Sequence, residues 1–141
     1  MAGEITLRVI TPDRIVLDTT ASSVRIPAVD GSMGILPRHA QMVAALDVGL
    51  LLYRHGDKEE ALFISGGFVE VKNNTVRVVS EAGERPEEID EERAREAEAR
   101  ARKRIEEGRR DVQLDVLRAE ISLRRAQQRL LARRGYARTL V

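Results

Sequence analysis

The sequence contains no cysteine and no tryptophan, only two phenylalanines, two tyrosines and two histidines, and just four prolines in 141 residues. Without cysteine there is no disulfide framework, no thiolate metal site, no Cys nucleophile and no thiol redox chemistry, and an intracellular setting is favoured. With so few aromatics the arginines lack the interleaved stacking platforms of single-strand binders, and a net charge of +1 is far from the basic balance of a nucleic-acid protein. Long apolar runs are also missing. The stretch Val48 to Tyr53 falls well short of a membrane span, and the opening Met1-Ala2-Gly3-Glu4 has no basic leader, so a soluble, unexported chain is expected. No phosphate loop, dinucleotide turn, zinc-protease, calcium or nucleophile-elbow motif occurs. His39 has no companion Ser, Cys or second carboxylate and His55 falls in a turn, so neither is assigned to catalysis, and no metal ligands are assigned.

What is present divides into two grammars. All four prolines and eight of the ten glycines precede Glu87, whereas the rest is rich in Ala, Arg, Glu, Leu and Gln. The length allows one ordinary domain or a small domain with an appendage, and the boundary is placed between residues 86 and 87. Before it, Ile5 to Ile10 alternates and stops at Thr11-Pro12-Asp13, Ile15-Val16-Leu17 leads to Ser22 through Pro27, and Val48 to Tyr53, Glu60 to Ser65, Phe68 to Lys72 and Thr75 to Val79 follow. Asn73-Asn74 tolerates positive φ and reads as a hairpin turn. Strands so spaced predict an all-β sandwich or barrel for residues 1–86, of which the sandwich is adopted, with Gly66-Gly67 marking a bulge or a place where another backbone approaches closely. After Pro86 an antiparallel two-helix hairpin is expected over 87–141, so the fold class is α+β. One helix runs from about Ile89 to Glu107 with a stripe of Ala94, Ala97, Ala101 and Ile105. The other runs from about Val112 to Arg134 with Val116, Ala119, Leu123, Ala126 and Leu130. Such small-residue stripes bury little area, which predicts a weakly held hairpin able to open.

Charge is unevenly spread. Residues 108–141 carry nine basic against three acidic residues, and 87–107 carry six against nine. This suggests helix pairing and an acidic partner. Asp90, Arg93 and Arg100 share roughly one face of the first helix, and Arg125 and Arg129 lie four apart on the second. Folding about Gly108 to Arg110 is expected to set Arg93 opposite Arg125 and Asp90 opposite Arg129, beside Glu84. Guanidinium forks assembled this way suit phosphates, although ordinary solvated i,i+4 pairs such as Glu96 with Arg100 account for charge-rich helices as well.

Gly31-Ser32-Met33-Gly34-Ile35-Leu36-Pro37-Arg38-His39-Ala40, Ile64 to Val71 and Val9-Ile10-Thr11-Pro12 together resemble the signatures of the epsilon subunit of bacterial F-type ATP synthase. The resemblance runs through the whole chain in order. It implies a non-catalytic central-stalk subunit that docks on the gamma subunit and the c-ring through residues 1–86, peripheral to the cytoplasmic face of the bacterial plasma membrane. The hairpin of that family folds beside the sandwich or extends into the catalytic head to block ATP hydrolysis, its basic second helix meeting an acidic segment of a catalytic beta subunit. Some members bind ATP as a regulatory ligand through an Ile/Leu-Asp-x-x-Arg-Ala motif, matched here by Ile89-Asp90-Glu91-Glu92-Arg93-Ala94. By that resemblance the ATP contacts fall on Glu84, Asp90, Arg93, Ala94, Arg100, Arg125 and Arg129. Glu91 and Glu92 depart from the usual motif and would weaken polyphosphate binding. Leu114 to Ala119 repeats the hexapeptide on the second helix, where packing explains it. The alternative is a purely structural coupling subunit that binds no nucleotide.

Overall fold

The computed structural model describes residues 3–108 and 113–135. Eight strands come first: β1 Ile5–Ile10, β2 Ile15–Ala21, β3 Ser23–Ala28, β4 Gly31–Ile35, β5 Met42–His55, β6 Lys58–Lys72, β7 Thr75–Val79 and β8 Gly83–Glu84. A 3₁₀ turn, Pro86–Glu88, leads to helices α1 Glu91–Gly108 and α2 Gln113–Arg134. The expected β sandwich followed by two helices is therefore the fold. Of the expected hairpin turn only Gly108 is described, and it belongs to α1; residues 109 and 110 lie outside the described residues, as does the expected helix start at Val112.

Alternation dictates the sandwich. Ile5, Leu7 and Val9 of β1, Val24 and Ile26 of β3, and Val76 and Val78 of β7 point inward and are buried, while their neighbours face out. The sheet runs β2-β1-β7-β6-β5-β3-β4, with β8 added beside β6. Most neighbours are antiparallel, but β1 lies parallel to β7, Leu7 level with Val76. Asn73 and Asn74, at φ 51° and 57°, close the β6–β7 hairpin as expected.

The segments expected as separate strands between Val48 and Lys72 belong to two long ones, β5 and β6, which change their inward face midway. On β5 the core residues pass from Leu46 to Leu51, and on β6 from Ile64 to Val69, so even positions give way to odd. Both strands switch together, so pairing stays in step from Leu46 with Gly67 to Val48 with Ser65, and no residue is inserted. This is a corner that lets one sheet fold over on itself, and the bulge reading of Gly66-Gly67 is not what the structure holds. The close-approach reading is: Gly67 sits at φ +100°, and a Cβ there would lie 1.9 Å from the Val79 carbonyl oxygen.

The corner has a measurable consequence. Gly67→Ala is expected to destabilise the domain by at least about 3 kcal/mol, since it adds a backbone collision to an unfavourable φ. Gly56→Ala, at a less strained φ of +63° and with open space around it, should cost only about 1 kcal/mol. Urea unfolding of the two variants measures the difference, and equal losses would refute the corner argument.

Candidate functional site

The junction between sandwich and helices is built from a few local rules. Pro86 starts the 3₁₀ turn, and the Glu88 carboxylate accepts the Arg85 N–H at 3.1 Å and the Arg14 guanidinium at 2.6 and 3.0 Å. The Arg14 hydrogen bond is the main reason Glu88 is held below the usual carboxylate range. Ile89 is extended, at φ −84° and ψ 122°, and buried against Phe63 and Ala132, so the first helix begins at Glu91 and not at Ile89 as expected. Asp90 is its N-cap: its Oδ1 accepts the Arg93 N–H at 3.1 Å, and its carbonyl accepts the Ala94 N–H at 3.0 Å. Ala94 is buried. Thus Ile89, Asp90 and Ala94 each have a structural task, and of the four specified motif positions Asp90 and Arg93 are the exposed ones.

Small residues bring the helices together, with Ala94 and Ala101 of α1 and Ala119, Ala126 and Leu130 of α2 buried. Arg134 Nε lies 3.1 Å from Glu91 at the open end, and Gly108 faces Val116 near the connection, where a Cβ would come within 2.8 Å of the valine methyl. These two contacts set an antiparallel register that differs from the expected one: Arg100 lies level with Arg125, and Arg93 with Ala132. The reason is that the pairing is decided by where the alanines interlock, which a count from the turn does not reveal. Glu91 is also engaged by Arg95 at 3.3 Å, and the hydrogen bonds from Arg134 and then Arg95 hold its carboxyl below the ordinary range. Of the two extra charges inside the motif, that of Glu91 is therefore paired in place.

α2 lies against the outer face of β5 and β6. The apolar part of this contact is small: Phe63, Ile89 and Ala132 are buried, with Val48, Leu50 and Ala82 around them. Polar contacts do the rest. Arg124 reaches Asp47 at 2.7 Å, and Arg125 donates to the Ser65 hydroxyl at 2.9 Å and to Glu81 at 3.4 Å. Arg129 pairs with Glu84 at 3.0 Å, its guanidinium 4.6 Å above the Phe63 ring.

Between β8, the 3₁₀ turn, the first turns of α1 and Arg129 lies a cleft of about 450 Å³. It brings together Glu84, Asp90, Arg93, Ala94, Arg100 and Arg129, six of the seven residues implied by the resemblance. The seventh, Arg125, does not line it but turns to Ser65 and Glu81. Among the described residues the guanidiniums of Arg93 and Arg100 have no ion-pair partner, whereas that of Arg129 is already held by Glu84. The cleft thus offers two unpaired cations and one paired cation to an anion, and three carboxylates, Glu84, Glu88 and Asp90, to hydrogen-bond donors. Four residues of the junction and α2 contacts, Asp47, Arg124, Arg14 and Phe63, were not expected to take part in them. Only Asp47 leaves a trace in the sequence, as a lone charge inside the apolar run Ala44 to Leu52. His39 and His55 bond backbone carbonyls, of Ala40 at 2.8 Å and Thr20 at 2.7 Å.

Comparison with known proteins matches residues 4–86 to the ATP synthase Delta/Epsilon chain beta-sandwich domain and 87–132 to the ATP synthase Delta/Epsilon chain long alpha-helix domain. The ATP synthase epsilon chain of Symbiobacterium thermophilum is 46% identical over 131 residues, covering 92% of this chain and 93% of the relative. That of Halalkalibacterium halodurans is 44% identical over 124 residues, covering 88% and 92%. Among solved structures, a chain in the Euglena gracilis mitochondrial ATP synthase (OSCP/F1/c-ring, cryo-EM) superposes with a TM-score of 0.78 at 26% identity, covering 89% of this chain and 78% of that one.

The ion pairs at the junction imply acid sensitivity. Glu88, Glu91 and Asp47, the last held down chiefly by the Arg124 hydrogen bond, have folded pKa values below the ordinary value of about 4. Their contribution is therefore complete above about pH 4 and is lost as pH falls through the depressed values. Hydrogen exchange across pH 6 to 3 should show α2 amides losing protection before the β core; parallel loss in both would contradict this.

Proposed function

This chain belongs to the ATP synthase epsilon-chain family, and from that membership we propose that it is the non-catalytic central-stalk subunit of an F-type ATP synthase, with a hairpin that regulates hydrolysis and a cleft that senses ATP. Residues 1–86 form the docking body. On the part of the β5–β6 face that α2 leaves bare, Val43 and Phe68 are diagonal neighbours, 69% and 46% exposed, and an apolar patch of this kind suits a permanent partner, here the gamma subunit, with the c-ring below. No helix among the described residues is long and apolar enough to cross a membrane, consistent with a subunit held at the cytoplasmic face of the bacterial membrane through its complex.

The cleft carries the regulatory reading. Its volume lies within the range of about 300–1,000 Å³ common to small-molecule sites, and its lining comes from three separate pieces: Glu84 from the sandwich, Arg93 and Arg100 from α1, and Arg129 from α2. A polyanion bridging these pieces contacts all of them only when the hairpin is docked. ATP would accordingly favour the docked position by binding it preferentially, as a signal and not as a substrate. Undocked, α2 presents Arg124, Arg125 and Arg129 to an acidic segment of a catalytic beta subunit, and in that position the hairpin blocks hydrolysis. The alternative, a structural coupling subunit without nucleotide, draws support from the internal partners of Arg125 and Arg129.

Titration calorimetry separates the two. Saturable heat with ATP is expected for the full chain, weakened about ten-fold or more by Arg93→Ala. Arg125→Ala should weaken it less, and an equal loss would mean that Arg125 leaves Ser65 for the cleft. No heat at millimolar ATP rejects the sensor and leaves the coupling role. In reconstituted enzyme, truncation after Pro86 should raise ATP hydrolysis, and an unchanged rate rejects inhibition by the hairpin.

A further inference from the structure

We propose that the Asp47–Arg124 ion pair is a salt-sensitive latch on the hairpin, placed outside the ligand cleft, that sets how readily α2 leaves the sandwich. Asp47 occupies the β5 corner, at the step where β5–β6 pairing is interrupted between Leu46 and Val48. One carboxylate oxygen, Oδ1, accepts the N–H of Val48 at 2.8 Å, which orients the group; the other, Oδ2, meets Arg124 at 2.7 Å. An aspartate is disfavoured within an apolar strand, and the corner gives it an outward direction onto the helix.

Arg124 is a positioning residue by this account. It does not line the cleft, yet it lies one residue from Arg125, and Arg125, with Arg129 one helical turn beyond, supplies the other polar contacts of α2 with the sandwich and the segment leading out of it. Its side chain is 50% exposed and that of Asp47 37%, so mobile ions reach the pair and screen it. Among the described residues the apolar support beneath α2 is confined to Phe63, Ile89, Ala132 and their few neighbours, so the charged contacts form a correspondingly larger part of the docking. The inference rests on the two-position reading of the hairpin and adds an adjustment independent of the ligand: a ligand that needs the docked state binds in proportion to the docked fraction, so changing Arg124 alters affinity without touching the cleft.

The absence of native cysteine allows donor and acceptor dyes at Asp57→Cys and Leu117→Cys in the full chain, and single-molecule transfer efficiency then reports the docked-to-undocked ratio without ligand. Arg124→Lys should keep the ratio near the parent value. Arg124→Gln should lower it about two- to five-fold at low salt, and Arg124→Glu further, by like-charge repulsion with Asp47. Asp47→Asn keeps the acceptor for Val48 and removes the charge; it should lower the ratio by itself and close the gap between Gln and Glu at position 124. All differences should shrink in about 0.5 M salt. Far-UV circular dichroism confirms that α2 stays helical, and Asp47→Asn carries the test if Arg124→Glu does not fold. If the residue-124 series is the same in the Asp47→Asn background as in the parent while Arg129→Glu opens the hairpin, the latch is wrong and the two-position reading survives. If neither Arg129→Glu nor 1 M salt opens it, the two-position reading falls, and the latch with it.

Discussion

Everything in this molecule hangs on the corner where β5 and β6 change faces together. The Val79 carbonyl closes onto Gly67 so tightly that any side chain there is excluded, and the paired strands turn without losing step. Because they turn, Leu46, Ile64, Leu51 and Val69 all reach one core although their numbering alternates in opposite parity. The same turn directs Phe63, Val48 and Leu50 outward on one side of it, and these form the small apolar platform under α2. Asp47 and Ser65, at the corner itself, supply the polar groups to which Arg124 and Arg125 attach. Core, helix platform and docking contacts are thus three results of one local geometry.

The two halves are held by different forces. Burial of branched aliphatic side chains from β1 through β7 stabilises the sandwich, a cooperative interaction that mobile ions do not screen. The hairpin is joined to it by a few apolar contacts and a row of partly exposed arginine–carboxylate pairs, individually worth little and screened by ions. A rigid body carrying a loosely attached element is what the proposed two-position hairpin requires. The cleft sits at the seam between them, so anything bound there acts on the weak contacts and leaves the strong ones alone.

Most of the architecture was legible because it is written in short-range terms. Alternation marked the strands, Asn73-Asn74 marked a hairpin, and the change in composition after Pro86 marked the helices. The parallel pairing of β1 with β7 was not legible, since any apolar strand of suitable length would serve as a neighbour. The helix register also escaped, because alanine stripes specify close approach and not a unique alignment; Arg125 consequently lies level with Arg100 and turns to the sandwich. Six members of the candidate site do converge, helped by three positions of the motif having structural work: burial for Ile89 and Ala94, and helix capping for Asp90.

By itself the sequence determined what local chemistry dictates: a sandwich followed by paired helices, the absence of thiol chemistry, a basic final helix, and a motif opening α1. Tertiary structure alone decided which arginines face the cleft, which face the sandwich, and that Asp47 meets Arg124. Those outcomes depend on where the alanine stripes interlock and on a corner at which β5 and β6 reverse side-chain parity together, and no periodicity within a single strand or helix contains that information.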